Sequence, residues 1–476
     1  MSALNEQVAT YLATQRWFGG KGRDFVVTEI VRLGELRTLQ PSVSLDLATV
    51  EYVDGDLEHY HLPIAAYSAE QPRLGPALVS VEPADAQPAR WNYDAVHDAT
   101  AVAALVAAFA DPPAGPLTFH AEPGAPLDTL TDPSAGPSRL FTGEQSNSSI
   151  SLADQALLKI FRKVSPGLNP DIEIHRALTR AAAPNQDPTT PAPTPPVPPT
   201  AALFGWIQSP RPATSSPPSD HPPATSSHPQ PGPENSTAIW QLGMLQEFLA
   251  GALDGWDLAL ASAGRNDDFT AEATLLGQTV ATIHQVLATV FPTPTLDAAS
   301  VSRRMTQRLL ETIEDFPDLP ELDGLRPGLT ALFGAIGAAG AIQAQRVHSD
   351  LHLGQTLRVP YGWKLVDFEG EPAKPLEERV LPDSPLRDVA GMLRSFDYAA
   401  ASAAPVEHAA TWSVRNQEAF LRGYIGGRTM TPDEQSLLAA YVADKAVYEV
   451  RYEARNRPTW THIPLAALHR IVGGNQ

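Results

Sequence analysis

Apolar residues at Leu4, Val8 and Leu12 stand four apart among polar neighbours, which predicts a short amphipathic helix at the start of the chain. Beyond the segment Arg16-Trp17-Phe18-Gly19-Gly20-Lys21-Gly22-Arg23 the period falls to two. Phe25–Leu33, Val43–Tyr52 and Glu58–Leu62 alternate apolar and polar positions, the mark of half-buried antiparallel strands. A helix is expected over Ala101–Ala110. Leu140–Ile150 and Gln155–Arg162 read as two further strands joined by a tight polar turn, with a helix after them near Pro170–Ala181. From residue 249 onward the helical spacing returns, over Ala271–Leu287, Val301–Glu314, Trp412–Tyr424 and Thr431–Arg455. Strands first and helices last indicate an α+β chain. The expected organisation is 1–90, 91–248 and 249–476, and no repeat of solenoid length interrupts it.

One stretch breaks the pattern. Residues 184–233 contain 17 of the 46 prolines, interleaved with Ser, Thr and Ala. Proline fixes φ and removes the N–H, so neither helix nor central strand is expected there. The span 184–236 is read as a surface insertion of two polyproline-like loops around one strand, Ala202–Ile207. A passive insertion is the preferred reading, a proline-rich ligand for a partner domain the alternative.

Composition narrows the function. Hydrophobic residues make up 43% of the chain, enough for a sizeable core, and no apolar run is long enough to span a bilayer. The start of the chain has no apolar stretch of the secretory kind, so a cytoplasmic protein is expected. There are no cysteines, which excludes disulfides and thiolate metal sites. A formal net charge of −20 argues against nucleic-acid or anionic-membrane partners.

The chemistry is concentrated in His348-Ser349-Asp350-Leu351-His352-Leu353-Gly354-Gln355, followed by Trp363-Lys364-Leu365-Val366-Asp367-Phe368-Glu369. Phosphoryl transfer requires a carboxylate that orients the attacking hydroxyl and takes its proton, together with oxygen ligands for Mg²⁺. Asp350 is the candidate base. Gln355 offers a side-chain carbonyl, and Asp367 a second ligand at the end of an apolar strand. Upstream, Gly143–Ser149 sits between strand-like runs. Small polar residues there, Ser146, Asn147 and Ser148, would let backbone N–H groups approach phosphate oxygens, although Ser and Asn also favour ordinary turns. Lys159 lies between apolar strand residues, a position that is costly to bury unless paired.

The H-x-D-x-x-x-x-[N/Q] loop with its following strand and Asp367-Phe368 resembles the protein-kinase-like superfamily, which includes aminoglycoside phosphotransferases. Gln355 stands where Asn is usual, and Glu369 where the glycine of D-F-G sits; both point to the small-molecule branch. More narrowly, the chain resembles bacterial maltokinases at Arg16–Lys21, Gln145–Ser149, Phe161–Glu173, Asp367–Pro372, Asp383–Tyr398 and Lys445–Pro458. This resemblance implies a bilobal protein-kinase-like fold with an N-terminal cap subdomain on the upper lobe and a helical C-lobe. It also implies ATP and Mg²⁺ as nucleotide and metal, and phosphorylation of maltose to maltose 1-phosphate and ADP. That product would feed α-glucan (glycogen) synthesis from trehalose-derived maltose, beside trehalose synthase.

The resemblance assigns further roles. Lys159 would pair with Glu173 and the nucleotide phosphates. Backbone groups of Gln246 to Phe248 would meet adenine in an interlobe hinge. His348 and Asp388 would support the catalytic loop. Lys445, Tyr448, Glu449, Tyr452 and Glu453 follow helical i, i+3, i+4 spacing and share one expected face. With His352 and Trp460 they form the candidate acceptor site, the alternative being an ordinary amphipathic surface. Glucosamine kinase and aminoglycoside phosphotransferase are the rival activities, and a pseudokinase scaffold the rival of another class. The Trp17–Lys21 segment is read as a structural turn.

Overall fold

The computed structural model describes residues 2–36, 38, 40–83, 89–132, 136, 138–141, 146–182, 199–211, 239–371, 374–403 and 405–473. Most of the expected insertion, and Gly143 to Gln145, therefore lie outside the described residues. The chain forms two compact units: Met1–Glu173 with Ala202–Ala250, and Ile174–Ala201 with Gly251–Gln476. The segment Ile174–Ala201, read from sequence with the middle zone, belongs to the second of them.

The first unit opens with α1 (Ala3–Thr14), capped by the Ser2 side chain, which accepts from the Asn5 N–H. Tyr11 and Leu12 turn inward with Val8 as the four-residue spacing predicts. They pack on an antiparallel sheet of β1 (Phe25–Glu35), β2 (Ser42–Tyr52), β3 (Leu57–Tyr67), β4 (Leu78–Glu82) and β5 (Arg90–Asp94), ordered β1-β2-β3-β5-β4. After α2 (Ala99–Ala107) come β6 (Thr118–Ala121), α3 (Leu127–Leu130), β7 (Ser138–Leu140), β8 (Asn147–Leu152) and β9 (Ala156–Phe161). Next are β10 (Lys163–Val164), α4 (Pro170–Ala182), β11 (Leu203–Pro210) and β12 (Ile239–Glu247). A second antiparallel sheet runs β6-β11-β12-β9-β8-β7. β10 follows β9 directly and pairs with β3, so one stretch of backbone serves both sheets.

The strand expected over Leu140–Ile150 is not continuous. Its described residues form the end of β7 and the start of β8, which pair with each other antiparallel. Asn147 and Ser148 are accordingly strand residues and not turn residues, paired with Phe161 and Ile160. The reversal comes later, through Ala153 and Asp154 at φ 52° and 53°, a left-handed conformation that a non-glycine residue adopts at some cost. The expected strand inside the insertion is β11, hydrogen-bonded on both sides.

The second unit is helical apart from short hairpins. Its elements are β13 (Leu253–Asp254), α5 (Gly255–Arg265), α6 (Thr270–Val290), β14 (Thr295–Asp297), α7 (Ala298–Asp315) and α8 (Pro320–Gly337). β15 (Ala341–Gln343), β16 (Thr356–Val359), β17 (Gly362–Leu365) and α9 (Leu376–Arg379) follow, then α10 (Leu386–Ala403), α11 (Val406–Tyr424), α12 (Pro432–Asn456) and α13 (His462–Gly473). The sequence pattern had not marked α8, whose interior carries Pro327 and several glycines. Burial of Leu322, Leu325, Leu329, Leu332, Phe333 and Ile336 along one side outweighs that poor propensity. α12 has a full capping box between Thr431 and Glu434. α10 is buried along Leu386 to Phe396 except Arg387, so it forms the middle of this unit's core.

α6 and α11 touch through facing glycines. A Cβ on Gly277 would lie 2.1 Å from the Phe420 carbonyl oxygen, and one on Gly423 would lie 2.0 Å from that of Thr274. No side chain fits either place. Gly277→Ala and Gly423→Ala are each expected to cost about 1–3 kcal/mol by overpacking, read as a lower thermal midpoint. An unchanged midpoint in both would mean the two helices part without penalty.

Candidate active site

In the second unit the loop after β15 is shaped by one buried carboxylate. Asp388, in the first turn of α10, accepts from the His348 N–H at 2.7 Å and the Ser349 N–H at 2.9 Å. Its Oδ2 also lies 3.0 Å from His284 Nε2, while His284 Nδ1 is 2.9 Å from the Tyr424 hydroxyl. Burial alone would raise the Asp388 carboxyl; His284, His348 and these hydrogen bonds more than offset it and hold it below the usual carboxylate range. Ser349 is left-handed, at φ 72°. α10 comes close beneath the loop because residue 391 is glycine: a Cβ there would lie 2.5 Å from the Leu351 carbonyl oxygen. Leu351 and Leu353 anchor the loop in the core, and Leu353 N–H donates to Ser395 Oγ at 3.0 Å.

This framework presents Asp350 with its Oδ1 3.5 Å from Lys445 Nζ on α12. Burial pushes the Asp350 carboxyl up, but Lys445, His352 and His348 outweigh it and leave the group below its ordinary range. A carboxylate so placed is ionised at neutral pH and able to accept a proton. His348 Nε2 lies 3.0 Å from the Val366 carbonyl oxygen, which fixes that nitrogen as the donor. His352 Nδ1 accepts from the Gly354 N–H at 3.1 Å, and burial lowers the His352 pKa. Gln355 ends the short helical turn, and Val366 N–H donates to its carbonyl at 3.0 Å. Its side-chain amide lies 3.2 Å from Asp367 Oδ2. Asp367 is also left-handed, at φ 65°, with Phe368 buried behind it against the His348 ring. Two of the chain's non-glycine positive-φ residues thus flank the candidate chemistry. Gln355 and Asp367 side by side form an all-oxygen donor set once the amide turns its oxygen forward, which suits a hard divalent cation.

The expected common face of α12 divides. Lys445, Tyr448 and Tyr452 remain partly or well exposed, whereas Glu449 and Glu453 are buried. Glu449 is therefore corrected from an open acceptor group to a structural partner: its Oε2 accepts from Arg394 Nε at 2.8 Å, and Arg394 also pairs with Asp397. Glu453 accepts both arms of Arg457, at 2.6 and 2.8 Å, and the Tyr398 hydroxyl at 3.0 Å. A buried carboxylate requires such partners, and helical spacing alone cannot reveal where α10 will supply them. Trp460 stacks on Tyr398 at 6.2 Å between ring centroids and under Arg457 at 4.5 Å. Sequence reading missed Glu371, which lies between Lys374 at 3.1 Å and Arg387 at 3.2 Å. Burial, then Glu371 and Asp350, push the Tyr448 phenol up to about 12.

In the first unit, Lys159 Nζ lies 2.9 Å from Asp171 Oδ2, both side chains buried. Asp171 stands two residues before the expected Glu173 and carries no distinguishing signal beyond its place in the first turn of α4. Ser146 is exposed, while Asn147, Ser148 and Ser149 are buried in β8. At the end of β12 the Glu247 N–H donates to Ala202 and the Phe248 N–H to Gln155. An adenine edge read at Phe248 would compete with that last bond. Gln246 keeps a buried side-chain oxygen with no partner among the described residues.

Residues 11–98 match the maltokinase N-terminal cap domain family. The chain is 30% identical over 251 residues to a glucosamine kinase of Mycolicibacterium smegmatis, covering 48% of this chain and 62% of that protein. It is 29% identical over 255 residues to a glucosamine kinase of Streptacidiphilus jiangxiensis, covering 48% and 58%. The alignable part thus spans about 60% of the length of these relatives. Among solved structures, a glucosamine kinase in complex with glucosamine, ADP and inorganic phosphate matches with a TM-score of 0.62 at 20% identity, over 96% of this chain and 97% of that one. A second crystal form of glucosamine kinase matches with a TM-score of 0.64, also at 20% identity, over 98% and 99%. At this identity the likeness is one of fold. The fold is thus the expected one, α+β and kinase-like, with a maltokinase-type cap and a helical C-terminal part.

Asp388→Asn keeps the shape of the carboxylate but can accept from only one of the two amides with its single oxygen. The orphaned N–H predicts a loss of about 1–3 kcal/mol, measured by urea unfolding. Wild-type stability in that variant would remove Asp388 as the brace of the loop.

Proposed function

We propose that the chain is a sugar kinase that transfers the γ-phosphoryl group of ATP to the anomeric hydroxyl of maltose. The observation that carries this reading is Asp350, ionised beside Lys445 on a loop tied down by Asp388. Asp350 takes the proton of the sugar hydroxyl as its oxygen bonds to phosphorus, and the bond from phosphorus to the ADP oxygen breaks. The anomeric hydroxyl is the most acidic on the sugar, so a carboxylate suffices as base. Gln355 and Asp367 would hold Mg²⁺, whose chemistry is to neutralise phosphate charge. Ser146, Asn147, Ser148, Lys159 and Glu173 are the proposed phosphate-side residues, with Asp171 added to them, and Gln246 to Phe248 the adenine side. His352, Lys445, Tyr448, Tyr452 and Trp460 are the proposed acceptor contacts.

The cap family is named for maltokinases, which supports maltose. The ammonium of Lys445 beside Asp350 supports a neutral acceptor, since a second cation there would be repelled. The similarity to proteins named glucosamine kinase keeps the amino sugar as the second reading. We further place the reaction in the cytoplasm, feeding maltose 1-phosphate to α-glucan synthesis beside trehalose synthase. Among the described residues no helix is long and apolar enough to cross a membrane.

The test is phosphorylation of maltose, glucose, glucosamine, trehalose and kanamycin with Mg-ATP, the product located by NMR. Phosphate at C1 of maltose supports the first reading, and preference for glucosamine replaces it with the second. Asp350→Asn is expected to lower turnover by about two to four orders of magnitude with nucleotide binding retained; full activity would remove Asp350 as base. Lys445→Met takes away the main charge that lowers the Asp350 carboxyl. The acidic limb of the pH–rate profile should therefore move to higher pH, and an unmoved limb would mean that Lys445 does not set the state of the base.

A further inference from the structure

Asp367 is reached through Leu365 and Val366, and every polar backbone group of those two residues has a partner. The Leu365 N–H donates to the Pro199 carbonyl at 2.9 Å, and the Leu365 carbonyl accepts from the Thr200 hydroxyl at 2.8 Å. The Val366 N–H donates to the Gln355 carbonyl at 3.0 Å, and the Val366 carbonyl accepts from His348 Nε2 at 3.0 Å. The Val366 pair comes from the loop that carries Asp350. The Leu365 pair comes from Pro199 and Thr200, at the end of the proline-rich run that precedes β11. All of these residues belong to the second unit.

β17 ends its three-stranded sheet, and Thr200 is bridged in parallel to Leu365 along that outer edge. Proline suits an edge, where its missing N–H is not called upon. Thr200 is fully buried, and its carbonyl accepts from Lys364 Nζ at 3.0 Å. Its hydroxyl has one proton, given to the Leu365 carbonyl, so toward His175 Nε2 at 3.0 Å the oxygen accepts. Nε2 is therefore the protonated nitrogen of that imidazole. The buried His175 ring, on α4, stands edge-on to Phe368 at 5.3 Å between centroids, and the His348 ring lies 4.8 Å from the same phenyl. Thr200 thus holds the backbone before Asp367 directly and the phenyl after it through His175. Asp367 itself is left-handed, at φ 65°, a conformation that persists in a non-glycine residue only where its surroundings over-determine it.

We propose that Thr200 is a positioning residue that holds the Asp367 carboxylate where a divalent cation can take it. The hydroxyl is engaged on both sides, by Leu365 and by His175, so it acts through them and is not itself a ligand. Valine in its place would keep the shape and lose both bonds. Serine would keep both bonds and lose only a methyl group. The end of the proline-rich run, read from sequence as part of a passive insertion, is on this account part of the scaffold of the candidate metal site. The proposal rests on the reading of Gln355 and Asp367 as the groups that hold the cation.

The test uses the full chain with Thr200→Val, Thr200→Ser and His175→Phe, each held well below its thermal midpoint. Mn²⁺ binding in the presence of ADP is titrated by electron paramagnetic resonance, a readout independent of turnover. Thr200→Val is expected to raise the Kd for Mn²⁺ about tenfold, the effect of one lost hydrogen bond. It should also lower kcat and leave the KM for the sugar unchanged. Thr200→Ser should bind Mn²⁺ as the unaltered chain does. His175→Phe keeps an aromatic ring beside Phe368 and removes the donor. It should weaken Mn²⁺ binding about threefold, and it decides the matter if Thr200→Val does not fold. A lowered midpoint with unaltered Mn²⁺ affinity in the folded variants, or a serine variant as weak as the valine one, would overturn the proposal. Failure of the unaltered chain to bind Mn²⁺ with ADP would overturn the phosphotransferase reading and this proposal together. Equal binding by the unaltered chain and the valine variant would overturn this proposal alone.

Discussion

A carboxylate stripped of water must be repaid in hydrogen bonds, and Asp388 receives them from the backbone of the loop it supports. Everything in the candidate catalytic region follows from where that group sits. α10 is buried on nearly all sides, so Asp388 cannot move to find other partners. The His348 and Ser349 amides must come to it, and Ser349 takes a left-handed conformation on the way. Gly391 lets the loop backbone lie close on the helix. Asp350, two residues beyond His348, is then delivered toward Lys445, and His348 is held by the backbone that leads into Asp367. No arginine or lysine takes part in these bonds; His284, His348 and the loop amides hold the Asp388 carboxyl below its usual range.

The proposed acceptor side illustrates how burial sorts identical residue types into different work. Glu449 and Glu453 lie under the surface of α12 and neutralise Arg394 and Arg457, which makes them part of the scaffold. Glu371 and Asp350 lie where they influence Tyr448, and both have cations beside them. No lone carboxylate stands among these groups to call for an ammonium. That electrostatic balance, more than the overall charge of −20, bears on the choice between a neutral sugar and an amino sugar.

The first unit solves a related problem with the opposite sign. Lys159 and Arg162 are two cations three residues apart, both buried, and each has its own carboxylate, Asp171 and Asp94. The hairpin keeps them from competing because the contacts of Arg162 fall on the Ser148 side and Lys159 pairs with the Ser149 position. Aromatic groups complete the arrangement on the cap side, where Trp17 packs near Tyr11 and Tyr60.

Much of this was legible in the sequence because it depends on local periodicity or on spacing within one loop. The alternation in β1 to β3, the four-residue spacing in α6, α7, α11 and α12, and the strand of Ala202–Ile207 inside the prolines are properties of short windows. The set of Asp350, Gln355 and Asp367 could be proposed from the sequence because a loop and the next hairpin carry all three. What the sequence could not supply were pairings over long separations. Lys159 meets Asp171, Glu449 turns in to Arg394, and Arg162 links Asp94 to Ser148. α8 forms despite Pro327 because its leucines find a core made by distant helices. Residue type and spacing determined which groups were available for chemistry; tertiary packing decided which charges were buried, and a buried charge takes the partner that the fold places within reach.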